Sequence, residues 1–135
     1  MPPRYTEADI TRFRRRAYEL GMLARMSFFR RPAAELVAIC NGVGGQDAWG
    51  SDILTWIYRN YQAEAAIHDE GYDTGGTAED RRRLDLEFYL NLQVGWEDRY
   101  RTLRWINPRA LLDRRKIYLA YKAVRALGHN YFRYR

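Results

Sequence analysis

The residues that could carry chemistry lie on two predicted helices, with His68 and Asp69 on the first and Asp85 on the second. His68 belongs to a stripe of apolar residues at three- and four-residue spacing, so we expect it to face the interior. Asp85 lies on a similar stripe, with Phe88 and Tyr89 three and four residues further on. A buried carboxylate needs a partner, because burying an unpaired charge costs several kcal/mol.

The connection between these two helices is short, so we expect them to pack as an antiparallel hairpin. His68 is then the simplest partner for Asp85. A hydrogen bond between them would fix the imidazole tautomer and leave the other ring nitrogen as a base. The residues alone leave a second interpretation open, in which a buried histidine and a structural carboxylate satisfy each other without catalysis.

Asp69 and a glycine-rich stretch at 41–50 suggest a metal. Asp69 follows His68 directly, so on a helix it points about 100° away from the base. A carboxylate beside a base is typical of a metal placed next to a water-activating group. Glycines at 42, 44 and 45 would let main-chain carbonyls converge, and calcium accepts about 6–8 oxygen ligands. The alternative for this stretch is a plain connection between helices.

The apolar pattern predicts helices almost throughout, and these elements must position the site. Capping sequences begin at Thr6 and Thr77, and an asparagine precedes Pro108 at the start of the last helix. The predicted helices cover 7 to about 29, 32–39, 52–72, 78–92 with a continuation toward 105, and 108–127. We find no repeat and no strand pair. The predicted fold is all-α, with a single helical domain over 1–135 built on the hairpin and preceded by the glycine-rich loop.

The cysteine and histidine counts exclude several kinds of site, and the net charge indicates the kind of partner. The chain has 135 residues, one cysteine and two histidines, so an intrachain disulfide, an all-cysteine metal cage and a three-histidine zinc site are excluded. The formal net charge of +6, carried almost entirely by arginine, indicates an anionic partner, whether nucleic acid, an anionic membrane or an acidic protein. We see no membrane-spanning run and no signal-peptide core, so we expect neither.

Taken together, these motifs resemble those of phospholipases A2, in particular the disulfide-free viral and phage type. The calcium loop of that family reads Gly-x-Gly-Gly, as residues 42–45 do here. Its catalytic helix carries His-Asp-x-x-Tyr, which residues 68–72 match in order and spacing. Its next helix brings an aspartate followed by Phe three residues later, as residues 85–88 do. The resemblance covers about residues 40–92, which we treat as a phospholipase A2-like core segment.

The resemblance implies calcium-dependent hydrolysis of phospholipid esters at a membrane surface, in a protein carried by a virion or released near membranes. His68 would take a proton from the attacking water, Asp85 would orient the imidazole, and Tyr72 would donate to Asp85. The implied calcium ligands are the carboxylate of Asp69 and the main-chain carbonyls of Cys40, Gly42 and Gly44. The ion would polarise the ester carbonyl.

A rival interpretation is a non-enzymatic structural component of a phage virion or tail that shares only the helix hairpin. It would assemble with other virion proteins through its apolar and arginine-rich faces. Nucleic acid also stays open as a partner, because arginines cluster at 14–16, 30–31, 81–83 and 114–115. No reading motif accompanies these clusters, so such binding would be directed at the phosphate backbone and sensitive to salt.

Other hydrolytic chemistries fit the sequence less well. The serines, Ser27 and Ser51, do not lie in the Gly-x-Ser-x-Gly elbow of serine hydrolases. A His-Asp phosphohydrolase needs a further histidine upstream of its dipeptide, whereas His129 lies downstream. Cys40 could pair with His68 as a nucleophile. However, it follows an apolar run, which favours a role as a small buried hydrophobic residue.

Overall fold

The computed structural model describes residues 5–41 and 51–135 of the chain, and their architecture is all-α, as predicted. Within these residues seven α-helices follow one another, and a short 3₁₀ turn (Gly128–Asn130) comes after the last. The helices are α1 (Glu7–Leu20), α2 (Met26–Arg30), α3 (Ala33–Asn41), α4 (Asp52–Asn60), α5 (Gln62–Thr74), α6 (Ala78–Arg99) and α7 (Pro108–Leu127).

The prediction of one helix from 7 to about 29 is wrong, because the chain breaks after Leu20. Gly21 adopts the left-handed conformation (φ 65°, ψ 36°), and its N–H bonds to the carbonyls of Ala17 and Tyr18. This is a common way to end a helix, and glycine adopts it without a side-chain penalty. The chain re-enters a helix at Met26, so α2 is a separate short element.

The prediction of one helix over 52–72 is also wrong. Tyr61 leaves the helical conformation (φ −134°, ψ 60°) and separates α4 from α5. Its ring is buried, with Trp56 at 5.6 Å between ring centroids and the Arg99 guanidinium 5.0 Å above it. Neither glycine nor proline marks this break. Packing of the tyrosine ring overrides the helical pattern, which continues on both sides.

Helix α5 lies between two apolar clusters and supplies residues to both. The first cluster forms with α4, α6 and α7 and includes Ala65 and Tyr72, whereas the second forms with α1 and α3 and includes Ala63, Ala66 and Ile67. As a result, the ten consecutive residues 63–72 are all buried. Polar side chains in this run are therefore shielded from solvent, and each is costly to bury unless another group pairs with it.

Two glycines show how closely α5 approaches α6. A Cβ atom at Gly71 would lie 2.7 Å from a methyl carbon of Leu84, and one at Gly95 would lie 2.1 Å from a carboxylate oxygen of Glu64. Residues later in α5 therefore contact residues earlier in α6. This opposite order brings the middle of α5 against the first third of α6, where Asp85 lies.

The C-terminal tail closes the end of α5. The N–H of Arg133 donates to the carbonyl of Tyr72 at 3.2 Å, and the N–H of Gly76 donates to the carbonyl of Arg133 at 3.0 Å. Phe132 is buried with its ring edge-on to Tyr72, 5.2 Å between centroids. The tail thus fixes the position of Tyr72. No helix within the described residues combines the length and apolarity that crossing a membrane would require.

Candidate functional site: a buried His–Asp pair and its neighbours

The structure brings the three predicted catalytic side chains together. His68 Nε2 lies 2.8 Å from Asp85 Oδ1, and the Tyr72 hydroxyl donates to the same oxygen at 2.6 Å. His68 and Tyr72 lie one turn apart on α5 and Asp85 faces them from α6. The four-residue spacing of the His-Asp-x-x-Tyr motif therefore aims both donors at one carboxylate.

Aromatic rings hold the imidazole in place. The centroid of the His68 ring lies 4.2 Å from that of Tyr72 and 4.4 Å from that of Phe88, on α6. The side chain of His68 is 2% exposed and that of Asp85 is fully buried. The pair is thus enclosed by apolar groups, where a charge-assisted hydrogen bond is stronger than in water.

Two arginines complete the partners of Asp85, and sequence analysis missed both. Arg125, on α7, donates to Asp85 Oδ2 at 2.7 Å, and an Arg81 nitrogen lies 3.8 Å from the same oxygen. Arg81 is four residues before Asp85, a helical spacing that could have identified it. Arg125 is forty residues away, and no local spacing in the sequence connects it with Asp85.

These partners keep Asp85 ionised. Burial raises the pKa of this carboxyl, but hydrogen bonds from His68, Tyr72 and Arg125 outweigh it and hold the pKa below its ordinary value. An ionised carboxylate at Nε2 favours the tautomer that carries its proton there. In the neutral ring the lone pair is then on Nδ1, which is the atom able to accept a proton.

Asp69 faces a different part of the protein, as its position next to His68 predicts. Its Oδ1 accepts a hydrogen bond from the Tyr58 hydroxyl at 2.7 Å, whereas its Oδ2 has no hydrogen-bond partner among the described residues. Burial raises the pKa of Asp69 well above its ordinary value, and the Tyr58 bond offsets this in part. An unpartnered carboxylate oxygen is chemically suited to calcium.

Of the other three implied calcium ligands, Cys40 lies among the described residues. Cys40 is buried, and both burial and the nearby charge of Asp69 raise the pKa of its thiol. Gly42 and Gly44 lie outside the described residues. No group of three or more histidine, cysteine or acidic side chains that could hold a metal occurs at 5–41 and 51–135. A calcium ion at Asp69 would therefore depend on main-chain carbonyls.

A second buried acid beside the motif serves the packing of helices. Glu70 accepts hydrogen bonds from Ser27 at 2.7 Å and Thr74 at 2.5 Å, and the Arg31 side chain lies 3.7 Å away. These contacts join α5 to α2 and to the residue that follows it. Each carboxylate oxygen of Glu70 thus accepts a hydrogen bond, which offsets the cost of burying this acid.

No protein-family model, curated protein or solved structure matches the chain. The resemblance to phospholipases A2 therefore rests on the motifs at 42–45, 68–72 and 85–88. Of these, the second and third are held in one hydrogen-bonded group. In that group an ionised carboxylate lies against Nε2 of His68.

Proposed function

We propose that the protein is a calcium-dependent phospholipase A2-like hydrolase of phospholipid esters, with His68 as its general base. One observation carries this proposal. The 2.8 Å contact between Nε2 and the ionised Asp85 orients Nδ1 as the proton acceptor, on a helix with the His-Asp-x-x-Tyr spacing. A positioned base of this kind contributes about 10²–10⁴-fold to a hydrolysis rate.

In the proposed reaction, Nδ1 of His68 takes a proton from a water molecule as its oxygen attacks the ester carbonyl. The imidazolium that forms is stabilised by Asp85, which Tyr72 and Arg125 hold in place. When the C–O bond to the glycerol oxygen breaks, the imidazolium returns its proton to that oxygen. The base is thereby restored, and a fatty acid and a lysophospholipid leave.

Asp69 is the described side chain best suited to hold the calcium ion, together with the carbonyls of Cys40, Gly42 and Gly44. When bound, calcium supplies Lewis-acid polarisation of the ester carbonyl. Asp69 supports this role because one of its carboxylate oxygens is buried and lacks a hydrogen-bond partner among the described residues. A cation at that oxygen would satisfy a group that is otherwise costly to bury.

The connection between α6 and α7 supports contact with a lipid surface. Leu103, Trp105 and Ile106 are exposed there by 73%, 57% and 72%. Arg101 and Arg104 alternate with them along the chain. Apolar and tryptophan side chains interspersed with arginine suit the interface of a membrane that carries anionic lipids.

Hydrolysis of vesicles tests the proposal. Mixed phosphatidylcholine and phosphatidylglycerol vesicles with millimolar calcium should release fatty acid when wild-type protein is added. His68→Gln should lower the rate at least a hundredfold. The matched control is His129→Gln, which changes the second, exposed histidine and should leave the rate unchanged. Absence of release by the wild type would refute the proposal.

A second candidate is a non-enzymatic structural component of a virion or tail, as the rival resemblance suggests. The burial of His68 and Asp85 favours it, because an enclosed pair of hydrogen-bonded polar groups also serves to fix a unique packing of helices. Size-exclusion chromatography with light scattering distinguishes the two. A monomer that hydrolyses lipid supports the enzyme, whereas an inactive ring or complex with virion proteins supports the structural component.

A further inference from the structure

A cavity of about 390 Å³ lies away from the His68 site, where α1, α5 and α6 meet the end of α4. Two buried polar side chains line it, Tyr61 and Glu64, which are 2% and 1% exposed. The Tyr61 hydroxyl and both Glu64 carboxylate oxygens have no hydrogen-bond partner among the described residues. Buried polar atoms are rarely left unpaired, so these three are suited to pair with a polar group that enters the cavity.

Gly95 makes room for the Glu64 carboxylate. A Cβ atom at this position would lie 2.1 Å from one Glu64 oxygen and 3.2 Å from a ring carbon of Tyr61. The glycine is not needed for a turn, because α6 continues through it for four more residues to Arg99. Glycine in a helix interior is destabilising relative to alanine. The wall of the cavity is thus shaped around the acid.

The charges around the cavity favour an anion. Four arginines and one aspartate line it besides Glu64, and they come from α1 (Arg12 and Arg16), α4 (Arg59) and α6 (Asp98 and Arg99). Arg16 is bonded to Asp98 at 3.0 Å, and Arg99 lies over the ring of Tyr61. Arg12 is paired with Asp9 at 2.7 Å, and Arg99 lies 3.9 Å from Asp113. Because four cationic groups and two acids line the cavity, its charge favours an oxyanion over a cation.

We propose that this cavity binds an oxyanion, a phosphate or sulfate group, with Glu64 protonated. The acid O–H, the Tyr61 hydroxyl and the guanidinium groups of Arg16 and Arg99 are then all hydrogen-bond donors. An anion with several oxygens accepts from such a set, and charge-assisted bonds of this kind are strong. The binding site is independent of the proposed hydrolase chemistry at His68.

Protonation of Glu64 couples this binding to pH. Burial raises the pKa of Glu64 to about 7, against opposing effects of its own main-chain N–H, Arg16 and Arg99 and with a further increase from Asp98. The anion prefers the protonated acid, so binding takes up a proton and strengthens as the pH falls. From pH 8 to pH 6 the protonated fraction of Glu64 rises about tenfold, and the affinity should rise by the same factor.

Calorimetric titration with sodium sulfate at pH 6 and pH 8, at constant ionic strength, tests the proposal, because sulfate itself does not titrate in this range. Wild-type protein should bind about tenfold more tightly at pH 6. Glu64→Gln should bind equally at both values. Arg99→Gln, a change at a half-exposed side chain, should weaken binding about tenfold or more at pH 6. The control Arg82→Gln changes an exposed arginine elsewhere on α6 and should bind as the wild type does.

Further measurements distinguish a soluble phosphate ester from a lipid headgroup as the ligand. They also distinguish failure of the oxyanion proposal from failure of the hydrolase proposal. If a soluble phosphate ester is the ligand, glycerol 3-phosphate should compete with sulfate, and Arg99→Gln should not change sedimentation with phosphatidic acid vesicles. If a lipid headgroup is the ligand, Arg99→Gln should reduce that sedimentation. His68→Gln should bind sulfate normally. Absence of sulfate binding at pH 6, or equal affinity in the wild type and Arg99→Gln, would overturn the oxyanion site whatever the hydrolysis results.

Discussion

Asp85 joins three helices through one carboxylate. It lies on α6, accepts from His68 and Tyr72 on α5 through Oδ1, and accepts from Arg125 on α7 through Oδ2. Its lowered pKa means that these bonds stabilise the folded protein once the pH exceeds the ordinary value for aspartate. This contribution is lost as the pH falls through the folded-state pKa. The same charge that orients His68 therefore also stabilises the fold.

Asp85→Asn separates these two roles. The amide keeps the shape but loses the charge, so we expect vesicle hydrolysis to fall at least a hundredfold, by analogy with triads in which the orienting carboxylate contributes roughly 10⁴. The free energy of unfolding should fall by about 2 kcal/mol, since Arg125 loses its ionic partner. Hydrolysis kinetics and urea unfolding measure the two effects. Asp113→Asn is the matched control, a buried aspartate of α7 that accepts from Tyr100. Unchanged hydrolysis with sharply reduced stability would make Asp85 purely structural.

The raised pKa of Glu64 makes stability depend on pH in the direction opposite to that of Asp85. Its pKa of about 7 in the folded protein exceeds its ordinary value of 4.5, so the folded state holds the proton more tightly than the unfolded chain. The stability is fully present below pH 4.5 and is lost as the pH rises through 7. Relative to wild type, Glu64→Gln should gain about 2 kcal/mol between pH 5 and pH 8 in urea unfolding. The exposed Glu79→Gln should show no such trend, and a pH-independent difference for Glu64→Gln would contradict the assignment.

At the scale of elements, the sequence predicts what depends on local spacing and misses what depends on contacts across the fold. The stripes on the two central helices predict the meeting of His68 and Asp85, because the helical repeat determines which side chains share a face. The contact of Tyr72 with Asp85 is implied only by the family resemblance. Gly21 is a residue type that commonly ends helices, but the apolar spacing continues past it and predicts a longer helix. Tyr61 and Arg125 act through contacts with residues distant in the sequence, which no local pattern encodes.

Gly128, at the end of α7, leaves room for the Tyr72 hydroxyl that donates to Asp85. A Cβ atom at Gly128 would lie 2.2 Å from the Tyr72 hydroxyl oxygen, although the backbone there is ordinary (φ −64°). Gly128→Ala should therefore push the hydroxyl off Asp85 and lower the free energy of unfolding by about 1–3 kcal/mol. In the Tyr72→Phe background, which lacks that oxygen, most of this cost should disappear. A double-mutant cycle by urea unfolding measures the coupling, and additive costs would show that the clash is elsewhere.

At the scale of the whole molecule, α5 divides the protein into two cores and presents its motif to both. His68 contacts Asp85 and Phe88 of α6, whereas Asp69 accepts a hydrogen bond from Tyr58 of α4, in the same cluster as Phe88. The charge of Asp69 also raises the pKa of the Cys40 thiol, which lies in the second cluster. This placement supports the proposal that adjacent residues of one helix supply the base and a calcium ligand. The net charge of +6 and the exposed Leu103, Trp105 and Ile106 between α6 and α7 support the proposal that the protein works at an anionic surface.

We propose that the protein hydrolyses phospholipid esters with His68 as general base and with calcium held at Asp69. The most direct test is the initial rate of fatty acid release from anionic vesicles as a function of calcium concentration. Wild-type protein should show a saturable rate that EGTA abolishes. His68→Gln should lose at least a hundredfold in rate while binding calcium normally by calorimetry, and Asp69→Asn should lose calcium binding. Release that survives both EGTA and His68→Gln, or no release by the wild type, would contradict the claim.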